Sequence, residues 1–347
     1  MATDVTARPR AGGRGPVAAG PGGGGSGGSG GGVRVALARY GVLAAIVATF
    51  AVFSLLRPDS FFTVLTMKGI LRDCAPLLIV ALGVTVVLVM NEYDLAVGGL
   101  ISLCATVVIV LLSTQHVGLD WRLAIVLTLL LGTALGAANG VLIAYLRLPS
   151  FILTIAMSTV FTGVGLQLVD SQSVFDGIAA GYTEIANGTF LGFSNVVFIG
   201  LFVLLVMHVL LRHTEPGRYM YAIGGNREAA RLSGLRVRLL LASGFAIVGL
   251  TAAIAAVLMT SQASAANPNT GVGLLLPAYA AAFLGSSMFR VGVFTPVGTA
   301  LGALYLQMIG TGLTILSLSG PLVQIIQGGI LAAAVLISRL VRGGGER

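Results

Sequence analysis

Apolar runs long enough to cross a membrane recur along almost the whole chain. A helical span takes about 20 apolar residues, and a helix satisfies its own backbone hydrogen bonds where water is absent. The chain is 56% hydrophobic and only 9% charged, whereas soluble domains carry roughly 25% charged residues. We therefore predict an all-α, polytopic membrane protein of about ten transmembrane helices, with spans at 35–56, 66–90, 95–113, 122–146, 150–169, 195–211, 239–260, 272–289, 293–313 and 321–340.

Two of these runs are less regular than the others. The second begins with polar residues and then contains Pro76, so we expect a short amphipathic piece followed by a broken span. The eighth contains Pro277 and ends at Arg290, which makes it the weakest of the ten.

The two ends of the chain differ from its apolar body. Residues 1–33 are rich in Gly, Ala, Pro and Arg, and we expect a disordered tail because they offer no apolar surface to bury. Residues 34–341 form the predicted transmembrane domain, with a charged central segment at 213–238, and residues 342–347 form a second short tail. With the N-terminus inside, the basic residues on the outer side are Arg57, Lys68, Arg72 and Arg122. This bias predicts a multi-pass protein of the plasma (inner) membrane with both termini and the central segment in the cytoplasm.

A weak internal similarity hints at a parallel repeat. Pro76, Gly83 and Gly98 recur in the same order as Pro277, Gly285 and Gly298, with a Leu or Val before each glycine. Parallel repeats are common in transporters. Similar spacings also arise by chance in a chain rich in Gly, Ala and Leu, so both explanations stay open.

Several function classes are excluded by composition and motif. Cys74 and Cys104 lie in apolar runs and are expected to be small buried hydrophobes, and the three histidines lack metal-ligand spacing. We therefore predict no catalytic residue and no metal site. The formal charge of +8 is explained by the arginines that membrane orientation requires on the cytoplasmic side. No nucleic-acid partner is expected. Lys68 is the only lysine and lies outside any phosphate-binding loop, so an ATP-driven process would need a partner chain.

The central segment reads EPGRYMYAIGGNREAARLSGLRV from Glu215. Asn226 is a suitable N-cap, the residues after it favour a helix, and Gly234 suits a left-handed helix end. Gly224 and Gly225 would allow a sharp turn before this helix. Two helical turns are too short to be stable alone, and the small side chains of Ala229 and Ala230 would let a second surface approach. From the residues alone, a docking element and an ordinary solvated loop remain equally open.

Three stretches match motifs of one known family, in the same order along the chain. Glu228-Ala229-Ala230-x-x-x-Gly234 matches an EAA motif, and the stretch DLAVG from Asp94 is similar to a D-L-S-V-G segment. The stretch from Asn139 to Thr154 is similar to N-G followed by P-x-F-I-h-T, where h is a hydrophobic residue. Together they resemble the permease subunits of ABC importers for simple sugars of the ribose/xylose type, over residues 40–340. Asn91-Glu92-Tyr93 replaces that family's usual G-G-I, and Leu275 and Pro277 stand where polar residues are common.

The resemblance implies specific roles and partners. The central segment would be a coupling helix that docks in a separate ABC ATPase through Glu228, Ala229, Ala230, Arg231 and Gly234. ATP and Mg would be bound by that ATPase, and this chain would bind no cofactor. An extracytoplasmic sugar-binding protein, a second permease copy or paralogue, and membrane lipid would complete the assembly. The implied substrate is a pentose-like or ribose-like sugar.

Two other transport functions stay open at this stage. One is a branched-chain amino-acid ABC permease, and the other is an ion-coupled secondary transporter that uses Glu92 and Asp94. Those two acids could instead lie in a break between spans and cap the next helix. Candidates to line the substrate pathway are polar residues within or beside spans, although such residues frequently bond helix to helix: Asp94, Asn139, Thr154 and Gln167.

Overall fold

The computed structural model describes residues 44–175, 178–288, 292–329 and 332. The expected tails at 1–33 and 342–347, and parts of the first and last spans, lie outside these residues. The helices are α1 Ala44–Leu56, α2 Pro58–Phe61, α3 Val64–Val89, α4 Val97–Leu112, α5 Trp121–Leu146, α6 Ser150–Leu168, α7 Ala180–Asn187, α8 Asn195–His213, α9 Glu215–Gly225, α10 Arg227–Leu232, α11 Val237–Ala263, α12 Leu275–Ser286, α13 Pro296–Ile315 and α14 at 320–329.

The rest of the described secondary structure is short. A 3-10 turn, Val272–Leu274, precedes α12, and strands β1 Thr189–Phe190 and β2 Phe193–Ser194 form an antiparallel hairpin. Apart from these elements, the described fold is α-helical, as the sequence predicts.

Five helices of the described chain are long and apolar enough to cross a membrane: α3, α5, α6, α8 and α11. α4 has 16 residues and α12 has 12, and a helix of 12 residues is about 18 Å long. That is shorter than the roughly 30 Å of bilayer hydrocarbon. The run at 272–289 therefore contains a helix too short to span the membrane alone, which agrees with its weakness in the sequence.

α3 is the central helix of the fold. Every residue from Cys74 to Val89 is buried, and α3 packs against α8, α11, α12 and α13. The expected break at Pro76 is wrong, because α3 is continuous through that residue. A buried membrane helix tolerates proline since neighbouring helices and local adjustments compensate for the lost backbone bond.

The prolines of the suggested repeat occupy different positions. Pro76 lies in the interior of α3, whereas Pro277 is in the first turn of α12, where its missing N–H has no helical partner in any case. The repeat therefore remains a prediction that the prolines do not support.

α5 and α11 approach closely through small residues. A Cβ added at Gly132 would lie 2.7 Å from the carbonyl of Gly249, and one added at Gly140 would lie 2.8 Å from the Cα of Ala242. Gly136, between them, faces the carbonyl of Phe245. This four-residue spacing of glycines lets two membrane helices pack backbone to backbone.

Candidate functional site

The central segment folds into two helices, α9 and α10, which we call the central hairpin. α10 has the predicted boundaries: the Asn226 side chain accepts a hydrogen bond from the Ala229 N–H at 2.9 Å, and Gly234 has a φ of +82°. The left-handed conformation at Gly234 ends the helix and directs the chain towards α11, as expected from the sequence.

α9 is the part of the hairpin that sequence reasoning missed. The Thr214 side chain caps its first turn by accepting a bond from the Gly217 N–H at 3.3 Å, and Pro216 follows the cap. Met220 and Ile223 are buried one turn apart. In the sequence, this spacing together with Pro216, two residues after Thr214, indicates the start of a helix. The expected sharp turn at the two glycines is wrong because both are helical, and Gly224 lies against the carbonyl of Val89.

Tyr221 joins the hairpin to a second segment of the chain. Its hydroxyl donates to the carbonyl of Phe294 at 2.6 Å, two residues before α13 begins. Burial raises the pKa of the Tyr221 phenol, and nearby Arg212 acts in the opposite direction. The phenol therefore stays protonated at neutral pH and keeps this bond.

An ion pair joins α10 to residues 90–96, which we call the Asp94 segment and which connect α3 to α4. Arg227 Nη2 donates to Glu92 Oε1. Only 10% of the Glu92 side chain is exposed, against 49% of that of Arg227. A carboxylate this deeply buried requires a partner, and α10 supplies it.

The Asp94 segment is held by side chains from two other helices. Ser150 and Thr154 of α6 accept bonds from the N–H groups of Tyr93 and Leu95, at 3.3 and 3.0 Å. The hydroxyl of Tyr279, from α12, accepts from the Asp94 N–H at 2.8 Å. The Asp94 carboxylate accepts from the Ala96 N–H at 2.9 Å, just before α4 begins. The DLAVG stretch is therefore a junction of α3, α4, α6 and α12.

The predicted coupling residues do not all face the same way. Glu228 and Arg231 are each 63% exposed in their side chains and pair with each other at 2.6 Å. Ala229 is exposed, and so is Leu232, whereas Ala230 is buried in the core of this chain. The small side chain of Ala230 lets α10 pack on its own transmembrane domain, so that residue is not available to a partner.

A basic cavity of about 380 Å³ lies beside α10. It is bounded by the end of α5 and the start of α11. Its charged lining consists of Glu92, Arg147, Arg227, Glu228, Arg231 and Arg238. Arg238 also lies over the ring of Tyr145, 5.5 Å from its centre. Arginine outnumbers carboxylate here, which suits an acidic partner surface or a lipid phosphate.

Of the four predicted pathway residues, the structure brings only Asp94 and Thr154 together. Asp94 and Thr154 are both buried and both hold the Asp94 segment. Gln167 is exposed on α6, about 20 Å along the helix from Thr154. Asn139 is fully buried in α5, and among the described residues neither polar atom of its side chain has a hydrogen-bond partner.

The described residues contain no group of three side chains that could hold a metal ion. Cys74 and Cys104 are both free and buried, as expected.

Comparison with known proteins shows which proteins this chain is similar to. Residues 66–335 match the family described as the permease component of the branched-chain amino acid transport system. The chain is 34% identical to the ribose import permease protein RbsC of Escherichia coli strain K12 over 304 residues, which covers 85% of this chain and 92% of that protein. It is 32% identical to the L-arabinose ABC transporter permease protein AraH of Azospirillum brasilense, with 90% of each chain covered. No solved structure is a significant match.

Proposed function

Because the chain belongs to this family of transport-system permease components, we propose that it is the transmembrane subunit of an ABC importer. It is a multi-pass membrane protein and a transport subunit, not an enzyme. ATP and Mg would be bound by a partner ATPase. This proposal is supported by the identity to permeases over most of the chain and by a single lysine outside any phosphate loop.

The proposed substrate is a simple sugar of the ribose or arabinose type. The family description names branched-chain amino acids, but several of the similar proteins are named as ribose, L-arabinose and D-allose permeases. The D-allose permease AlsC of Escherichia coli strain K12 is 30% identical, over 87% of this chain and 92% of its own length. These names favour a sugar over an amino acid.

The proposed power source is an ATPase that docks on the central hairpin. The observation that carries this proposal is the asymmetry of α10. Its outer face presents Glu228, Ala229, Arg231 and Leu232 to solvent, while Ala230 and the Arg227–Glu92 ion pair fix its inner face to the transmembrane domain. A helix with its inner face bound to the transmembrane domain and its outer face exposed can transmit a movement of a bound partner to the helices that it contacts.

An ion-coupled mechanism through Glu92 and Asp94 is not favoured. Glu92 is paired with Arg227, and Asp94 accepts from the backbone at the start of α4. Both carboxylates therefore have structural partners. Asp94 caps the start of α4, and Glu92 forms an ion pair with α10.

Reconstitution tests the function. Proteoliposomes are prepared with this chain, an ABC ATPase and a sugar-binding protein of the same importer. They should take up D-ribose or L-arabinose only when ATP is present on the inner side of the membrane, where the ATPase is bound. Leucine uptake under the same conditions should be absent. Uptake that follows a proton gradient and needs no ATPase would overturn the proposal.

We also propose that both termini and the central hairpin are cytoplasmic, from the distribution of arginines, and that two permease copies or paralogues pair in the plasma membrane. A cysteine at Ser233 should resist an impermeant thiol reagent in intact cells. One at Ser173, which is exposed after α6, should react. The native cysteines are buried and should give little background. The reverse labelling pattern would refute this orientation.

A further inference from the structure

A second cavity of about 380 Å³ lies at the end of the fold opposite the central hairpin. α11 begins beside the hairpin at Val237 and reaches this cavity at Met259, 22 residues and about 33 Å later. Six of the ten residues that line it are polar, and the others are Met259 and three alanines. We call this space the distal cavity, and its polar lining is Arg72, Asp73, Ser173, Gln262, Asn267 and Thr270.

Two hydrogen-bond donors on this wall are buried without a partner among the described residues. They are Nε of Arg72 and Nε2 of Gln262. Buried polar atoms normally have a partner, and one that lacks it calls for a ligand or water. Both donors belong to side chains that line the distal cavity.

The Arg72 guanidinium is held in place by a chain of bonds. Its Nη2 donates to Asn187 Oδ1 at 2.9 Å, and the amide of Asn187 donates in turn to the carbonyl of Ser261 at 3.0 Å. Ser261 Oγ donates to the carbonyl of Tyr182 at 2.7 Å, which ties α7 to α11. The guanidinium is therefore oriented by the scaffold before any ligand arrives.

The charges of the wall favour a neutral ligand with several hydroxyl groups. Asp73 is exposed at the cavity, and the two ion pairs of the described chain do not include it. An anion would be repelled by this carboxylate, and a cation would be repelled by Arg72. Hydroxyl groups can donate to Asp73 and accept from Arg72 and Gln262 at the same time. The volume is at the small end of ligand pockets.

We propose that the distal cavity is a subsite that receives a neutral monosaccharide on its way through the permease, with Asp73, Arg72 and Gln262 as its hydrogen-bonding residues. This inference rests on the proposed function. In the proposed orientation the cavity opens on the outer face, where a loaded binding protein would release its sugar.

The test uses the complete importer in proteoliposomes with D-ribose. Asp73→Asn keeps the size of the side chain, and Gln262→Leu removes the unpartnered donor. The matched control is Gln172→Leu, because Gln172 is exposed on the same side and does not line the cavity. For each variant, three quantities are measured: the initial rate of uptake per complex, retention of the loaded binding protein, and ATP hydrolysis.

We expect Asp73→Asn to lower uptake about tenfold or more and Gln262→Leu about three- to tenfold, from the loss of a charged and a neutral hydrogen bond respectively. Retention of the binding protein and ATP hydrolysis should match the wild type, and Gln172→Leu should match it in all three. Wild-type uptake in both cavity variants would overturn the subsite. Loss of binding-protein retention would instead assign the wall to protein docking and would also overturn it.

Failure of the broader proposal has a different signature. If the wild-type complex moves no sugar in the presence of ATP, the proposed function fails, and the subsite fails with it. If the wild type moves sugar and the cavity variants equal it, only the subsite fails.

Discussion

The ion pair between Arg227 and Glu92 offers a quantitative test of how α10 is fixed to the transmembrane domain. An exposed pair contributes about 0–1 kcal/mol, and a hydrogen bond to a charged group contributes about 1.5–3 kcal/mol. Only 10% of the Glu92 side chain is exposed but 49% of that of Arg227, so the pair lies between these cases. We expect a coupling energy of about 1.5 kcal/mol, which is roughly tenfold in an equilibrium constant.

The assay is a double-mutant cycle on ATPase binding. Arg227→Gln, Glu92→Gln and the double variant are purified in nanodiscs, and their affinity for the ATPase is measured by titration. Each single variant should bind about tenfold more weakly because α10 is no longer held in its docking position. The double variant should bind no more weakly than the singles, since the two changes remove the same interaction.

Glu228 and Arg231 provide the matched control for this cycle. They also form an ion pair, but both side chains are 63% exposed and lie one turn apart on α10. Their mutual coupling energy should be about 0.5 kcal/mol or less, even if each one contacts the ATPase separately. Additive losses in the Arg227–Glu92 cycle would refute the conclusion that this pair anchors the hairpin.

Three further predictions concern close-packed or strained positions. Gly234→Val should cost about 1 kcal/mol or more because φ is +82° there, and the ATPase pull-down should weaken while membrane levels stay normal. Ala229→Trp should also lose the ATPase at normal abundance, whereas Ala230→Trp should lower abundance because Ala230 is buried in this chain's own core; equal behaviour of the two variants would contradict the assigned faces of α10. Gly136→Leu should prevent α5 from packing on α11, which thermal-shift measurement in detergent would register as a lower Tm than that of Gly163→Leu, an open position on α6.

The membrane helices could be predicted from the sequence because each one is a long apolar run between polar ends. The start and the end of α10 were equally predictable, since Asn226 and Gly234 act through local backbone geometry alone. The continuity of α3 through Pro76 could not be predicted, because it depends on the surrounding helices. Proline removes one hydrogen bond locally, and the sequence does not show what compensates for it.

The site could be predicted in part. The EAA and DLAVG stretches were recognised as separate motifs, but their connection by Arg227 and Glu92 joins residues 135 positions apart. The burial of Ala230 is also a tertiary property, since Ala229 beside it has the same side chain and faces solvent. The distal cavity combines residues from α3, α11 and two loops, a grouping that spacing along the chain does not reveal.

The contacts of the central hairpin suggest how one movement could reach several helices at once. Through Arg227 it is joined to the Asp94 segment, and through Tyr221 to the residue Phe294 before α13. α3 and α13 are themselves joined by a hydrogen bond of 2.7 Å between the hydroxyls of Thr85 and Thr299. A displacement of the hairpin by an ATPase would therefore act on the starts of α4 and α13 together. A partner can shift a conformational equilibrium only by binding its two states differently, and this hairpin is the described element through which such a difference would reach both helix starts.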